Sequence, residues 1–456
     1  MTSDVFRRAL LIATTALVLL LGVTRFIQTI KEPQPRAQLA LDSTDLQLQL
    51  LTLKADPDLK QTLEGIDSKQ LLQESVQAYE QARLDPATQP DRLLKLGLLQ
   101  AAQNKPAEAR ATWSRIAARS PLRLTAEVLS QLWQMPPILA ADAQSVLAGR
   151  LEGWYRSAAL SRLYKLQQRT DALRELEVRS RTEARGTLIK LGLLNVVPLV
   201  GLLAGLIVLA LWVFWRTRQA DPPDWQVPWG PGTLWEVVIY WFAAFFSSGL
   251  LAASFIGGER LEQAGPLAQA LFTLFAYGLI AGSGLALLAL LVWQPYPNSR
   301  KLFNYSLVPG WWRWGVGGWL AAVPLVFVTS LLAQRLFGEG GGGNSLLSGI
   351  EGSASWLVQL LLLVSIAVAA PLFEETFFRG FVFPSLASRL GAPAAIVASA
   401  ALFGIAHFSA VEFFPLFALG VVLGTLYHHT RSLAPCILLH ALWNSSTFLV
   451  LLLLGS

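Results

Sequence analysis

The sequence predicts an all-α protein: a polytopic helical membrane bundle that carries an inserted soluble helical domain. Three observations point there. Hydrophobic residues make up 53% of the 456 and charged residues only 14%, whereas ordinary soluble domains carry about a quarter charged. Apolar runs near the ~20 residues that a helix needs to cross the hydrocarbon core recur from the first residues to the last. One long stretch, residues 32–187, breaks the series with frequent charges and with apolar residues at helical spacing.

Residues 1–31 read as an N-terminal transmembrane anchor. Arg7 and Arg8 precede the apolar run Ala9–Val23, an arrangement that resembles a signal peptide, but no convincing small-residue cleavage site follows and a retained anchor is expected. In residues 32–187, Leu93, Leu94, Leu96, Leu98 and Leu99 lead into Asn104-Lys105-Pro106-Ala107-Glu108-Ala109, then Trp113 and Ile116. A helix, a short turn and an Ala-rich second helix form a tetratricopeptide-like hairpin, with Leu71–Leu84 as the second helix of a preceding pair. Only one unit is legible, so an all-α domain without repeats is an equal alternative. A solenoid would bind a protein or peptide on its concave face.

Residues 188–300 hold additional transmembrane helices, and residues 301–456 hold the segment where the chemistry gathers. Spans are expected at Leu188–Trp215, Trp235–Ile256, Leu267–Trp293, Trp314–Leu332, Trp356–Phe373, Ala394–Phe408, Phe413–Tyr427 and Leu433–Leu454, nine with the anchor. Trp residues mark many of their ends, as in an interfacial belt. With the N-terminus inside, the cytoplasmic loops collect Arg7, Arg8, Arg216, Arg218, Arg300, Lys301, Arg313, Arg379, Arg389 and Arg431. The outside loops hold only Arg260 and Arg335, the asymmetry expected of this topology. A flexible outside linker is expected at Gly338–Gly343. The net charge of +6 follows from these loops and implies no nucleic-acid partner. The single cysteine, Cys436, excludes an intramolecular disulfide and a Cys-based zinc cluster, and it reads as helix packing.

All four histidines fall after residue 400, among ionisable groups set in apolar runs. A charge at bilayer depth costs about 3 kcal/mol or more, so such residues mark functional sites. Glu375 and Arg379 are i and i+4 on one helix, so their side chains meet and the pair is cheaper to bury than a lone carboxylate. It could equally pin helices together. Glu374 points about 100° away around the helix without a local cation, the setting of a general base. His407 follows Phe403 by one turn and alone would read as a hydrogen-bonded core residue. His440 and Asn444 share a face, where they could donate to developing negative charge or tie helices together. His428 and His429, beside Arg431, read as a solvated interface. At 1.5 Å per residue, Glu374 and His407 come out at depths about 10 Å apart. A helix that continues past Arg379 toward Leu390, kinked near Pro371, would remove the conflict.

These residues bring a family into view. Ala370–Phe383 reads APLFEETFFRGFVF, Val397–Phe408 reads VASAALFGIAHF and Leu433–Asn444 reads LAPCILLHALWN. The pattern resembles the CPBP intramembrane proteases, the CAAX-protease and bacteriocin-processing or Abi family, whose motifs EExxxR, FxxxH and HxxxN all occur here in order. The resemblance covers roughly residues 355–450 and implies catalytic roles for Glu374, Glu375, Arg379, His407, His440 and Asn444. Glu374 with His407 would activate a water, His440 with Asn444 would stabilise the oxyanion, and Glu375 with Arg379 would orient the site or contact substrate. Family members have been called metalloproteases, which makes Glu374, His407 and His440 the candidate ligands of a divalent metal such as zinc. Against this, HExxH is absent and no two of these histidines share a helix at ligand spacing.

The leading expectation is an intramembrane endopeptidase of the CAAX prenyl protease type. It would act on a peptide or membrane-protein substrate, prenylated or not, in a bacterial-type plasma (inner) or internal membrane. The alternative is a non-proteolytic membrane scaffold or immunity factor that binds a partner protein through the soluble helical domain. A cation or proton transporter ranks last, because no inverted repeat is visible.

Overall fold

The structure is a computed structural model. It describes residues 2–31, 35–54, 56, 58–82, 89–216, 222–256, 265–337 and 355–455. Arg260 and the glycine-rich segment Gly338–Gly343 lie outside the described residues. Every regular element among the described residues is helical. The chain divides into two compact units, Arg36–Val197 and the remainder, Met1–Pro35 with Pro198–Ser456.

The Arg36–Val197 unit has its own core. Pro90–Ala102 and Pro106–Ser114 form a hairpin in which Asn104 takes a left-handed φ of 61° and Pro106 opens the second helix. Trp113 is buried across it and donates its indole N–H to the Leu94 carbonyl at 3.2 Å. Gly97 makes this possible, because a Cβ there would stand 2.1 Å from the Trp113 ring nitrogen. Helices from Ser68–Gln81 to Gly153–Leu166 pack each on the next, and Gly153–Leu166 also returns to Pro90–Ala102. The series therefore closes on itself. Within the closure, Tyr79 and Tyr155 each donate to Asp45 Oδ1 at 2.6 Å, and Lys95 pairs with Oδ2 at 2.6 Å. Burial and the Asp45 charge push both phenols well above their usual range.

The second unit is the membrane bundle. Among the described residues of the whole chain, seven helices are long and apolar enough to cross: Val5–Ile30, Thr170–Phe214 (which begins in the other unit), Pro266–Trp293, Trp311–Phe337, Trp356–Leu390, Ala410–Thr430 and Leu433–Leu454. Helix Pro231–Ile256 accompanies them. The expected span Ala394–Phe408 is a shorter helix, Ala392–Ile405, of 14 residues, or about 21 Å at 1.5 Å per residue. The long apolar faces of these helices are exposed to the surroundings, with Leu203, Ile207, Val328 and Trp356 among the open side chains.

Trp356–Leu390 runs past Phe373 and Arg379 to Leu390, the continuation that the depth of Glu374 calls for, so the two glutamates sit inside a helix. Its α-helical ladder is interrupted twice by π turns, Ser365–Ala369 and Thr376–Val382. In each case the turn is followed by one residue and then a proline, Pro371 or Pro384. A helix-internal proline lacks an N–H and crowds the carbonyl four residues back, and widening the turn relieves both. Residues 375–385 are buried without a break, Glu375 and Arg379 included.

Small residues allow close approach around it. Gly420 lets Ala410–Thr430 meet Ala392–Ile405, since a Cβ there would lie 2.9 Å from Ala400 Cα. Gly315 and Gly318 do the same for Trp311–Phe337 against Leu438 and Leu439. The N-terminal helix Thr2–Lys31 packs on Pro231–Ile256, where Arg7 pairs with the buried Glu236 at 2.6 Å and Trp235 donates to Thr15 at 3.1 Å.

Candidate active site

Helix Trp356–Leu390 brings Glu374, Glu375 and Arg379 to the centre of the bundle, and Leu433–Gly455 brings His440 and Asn444 to the same place. The wider spacing of the π turn still lets Glu375 Oε1 accept from Arg379 Nη1 at 3.1 Å, with both side chains fully buried. Arg379 had been counted with the cytoplasmic loop charges. It lies instead inside the bundle, with its second amino group on the Gly420 carbonyl at 3.2 Å and its guanidinium 4.7 Å from the centre of the Phe403 ring.

Glu375 Oε1 also accepts from His440 Nδ1 at 2.7 Å. A carboxylate oxygen can only accept, so the proton belongs to Nδ1, and the other ring nitrogen is turned toward Glu374, with Nε2 3.8 Å from Glu374 Oε2. The two adjacent glutamates thus meet the two nitrogens of one imidazole. Glu375 takes both bonds on Oε1, and its buried Oε2 has no donor among the described residues. Among the described residues no donor reaches the buried Oε2 of Glu374, while its Oε1 lies 3.4 Å from the Tyr277 hydroxyl.

His407 stands just past the end of helix Ala392–Ile405, in a turn closed by Phe408 at φ 48°. Its Nδ1 donates back to the Phe403 carbonyl at 2.8 Å, which leaves Nε2 as an acceptor. Among the described residues it makes no hydrogen bond to Glu374. Phe403 ties it to the rest: the ring is fully buried, edge-on to His407 at 5.0 Å and to His440 at 5.7 Å. One phenylalanine therefore orients two imidazoles and a guanidinium.

Asn444 donates to the Ile366 carbonyl at 2.8 Å. That carbonyl is free for a definable reason. Its α-helical donor, the Ala370 N–H, is drawn to Ser365 by the π turn, and its π-helical donor would be Pro371, which has none. Leaving a buried carbonyl unpaired costs about 1–3 kcal/mol. Asn444→Leu is therefore expected to destabilise the bundle by about that much, and by much less in a Pro371→Ala background, where the backbone can supply the donor. Thermal unfolding of the four variants in detergent measures the coupling, and additive effects would disconnect Asn444 from the proline.

Among the described residues no three His, Cys, Asp or Glu side chains are grouped to hold a metal. Both His407 and His440 tie up Nδ1 and leave Nε2 open, but without a third ligand grouped with them no step below is routed through an ion. His428, expected in solvent, is buried and accepts the Trp225 indole N–H at 3.1 Å. The segment around Trp225 and Trp229 covers that end of the bundle, with Trp229 donating to Ser385 at 2.8 Å. Cys436 is fully buried, its thiol 3.7 Å from the Leu423 carbonyl. Tyr277 was not singled out from the sequence. The available signal was a phenol in an apolar span, which needs a polar partner when buried.

Fold and site together define a multi-pass helical membrane protein with a carboxylate–imidazole centre enclosed by its helices. Residues 355–446 match the family model of the Rce1-like type II CAAX prenyl endopeptidases. All seven residues of the three motifs lie inside the matched segment. No curated protein and no solved structure matches the chain.

Proposed function

We propose that this protein is an intramembrane endopeptidase in which Glu374 activates a water for attack on a peptide bond. The observation that carries the reading is how differently the adjacent carboxylates are held. Each has an Oε2 without a donor among the described residues. Glu375 Oε1 is fixed by Arg379 and His440, whereas Glu374 has no close donor and turns its Oε2 toward His440 Nε2 at 3.8 Å. A polar gap of that width suits a bridging water. Water held at Oε2, with the lone pair of His407 Nε2 as a second acceptor, passes a proton to Glu374 as its oxygen adds to the scissile carbonyl carbon. The carbonyl electron pair moves to oxygen, where the remaining amide hydrogen of Asn444 stabilises it. When the tetrahedral intermediate collapses, the C–N bond breaks and the proton on Glu374 goes to the departing amine. Glu375 and Arg379 hold the His440 ring in place.

The substrate is a peptide or membrane-protein segment at the bilayer, with a prenylated C-terminus as one form. Residues 32–187 would form a soluble domain that recruits such a substrate or a protein partner. Membranes from cells expressing wild type and Glu374→Ala are compared for protein C-terminal peptides. A membrane protein shortened only by wild type, and retained by the variant, supports proteolysis and identifies the substrate. Identical termini with identical partners would favour a non-proteolytic scaffold that works through the Arg36–Val197 unit, which has a core of its own.

A further inference from the structure

The geometry assigns a positioning role to Tyr277: its phenol, supplied from a helix outside the family-matched segment, holds Oε1 of Glu374 so that Oε2 is the oxygen presented to water. The inference rests on Glu374 being the general base. Tyr277 lies on helix Pro266–Leu288, which packs against the turn that carries the glutamates. Its ring meets Phe373 edge-on at 6.5 Å, one residue before Glu374. Its hydroxyl points between two acceptors, Glu374 Oε1 at 3.4 Å and the Ala370 carbonyl at 3.5 Å.

Both distances are long for an O–H···O bond. A single donor shared between two acceptors has this geometry, and catalytic hydrogen bonds commonly tighten when substrate binds. The alternative partner matters. Ala370 is on the same turn as Glu374, so the hydroxyl can swing from a backbone carbonyl to a carboxylate without moving its helix. Among the described residues no other side-chain donor reaches either carboxylate oxygen of Glu374 within hydrogen-bonding distance. Oε1 therefore has one oriented donor and Oε2 none, an asymmetry that a base with a single productive oxygen requires. The ring packing and the hydroxyl are separable. Phenylalanine keeps the contact with Phe373 and removes only the donor, so the variant is expected to fold.

The test uses the full chain in detergent and does not depend on turnover. The infrared carboxylate stretch of Glu374 is identified by its disappearance in Glu374→Gln. It is expected to shift in Tyr277→Phe, and to shift the opposite way when Tyr277 is replaced by 3-fluorotyrosine, a stronger donor. With the cleaved membrane protein as probe, Tyr277→Phe is expected to lower kcat about tenfold with KM unchanged, the size of one charged hydrogen bond. A band that stays in place in both variants overturns the assignment, even if Glu374→Ala abolishes proteolysis. A band that moves as stated, in a chain that cleaves nothing, leaves the contact standing and removes the protease reading instead. Melting temperatures of the variants within a degree or so of wild type would show that the changes are local.

Discussion

Glu374→Gln is expected to lower kcat about 10³-fold, within the range for loss of a general base, and to leave the unfolding midpoint nearly unchanged. The two halves of that result have separate causes. The amide cannot take the water proton, so the chemical step loses its base. Stability is spared because Glu374 is tied to little: its Oε2 has no donor among the described residues and its Oε1 has one long contact. Glu375→Gln, one residue on, is expected to behave differently. That side chain is fully buried and accepts from both Arg379 and His440, so the amide weakens an ion pair and releases the imidazole. It should lose stability and activity together. Single-turnover cleavage and thermal unfolding on the same preparations separate the two. Rapid turnover by Glu374→Gln would end the proposed mechanism.

Arg379→Met is expected to destabilise the bundle by about 3–5 kcal/mol, the usual penalty for leaving one member of a buried pair uncompensated. Arg379 and Glu375 are both 0% exposed, so water cannot take the place of the missing guanidinium. The variant also vacates the Gly420 carbonyl and one face of Phe403. Replacing both members, Glu375→Leu with Arg379→Met, is expected to cost less than Arg379→Met alone, because the unpaired charge is then absent. Equilibrium unfolding of the single and double variants decides it. A double variant worse than the single would mean that the pair does more than neutralise itself, with the bond from His440 to Glu375 as the first suspect.

The candidate site was legible in part, and particular residues show where legibility stopped. Spacing alone paired Glu375 with Arg379, because i and i+4 side chains meet on any helix. The difference between the two glutamates was also readable, but the partner of Glu374 was not. The resemblance implies that Glu374 works with His407; that His440, from a helix more than 60 residues on, also faces it at 3.8 Å is not visible in the sequence. Pro371 suggested a kink. It did not announce a carbonyl left without a donor, which Asn444 then fills. That outcome depends on which register the backbone adopts before the proline. The apolar run Ala394–Phe408 places His407 inside a span, whereas it stands past a helix end, since the helix stops at Ile405 and the chain turns through the left-handed Phe408.

By itself the sequence determined that the chain is a series of apolar helices, their order, and the polar residues that the last helices carry. Those features follow from hydrophobicity and helical periodicity, which are properties of neighbouring residues along the chain. Only the tertiary structure decided that Arg379 is interior, that one histidine spans two glutamates, that Phe403 orients three charged or polar groups, and that Tyr277 reaches the site at all. Each of these depends on how far and at what rotation two helices approach, which small residues such as Gly420 and the two proline-linked π turns set. Distances of a few ångströms between remote segments are fixed by packing, and packing is a property of the whole bundle.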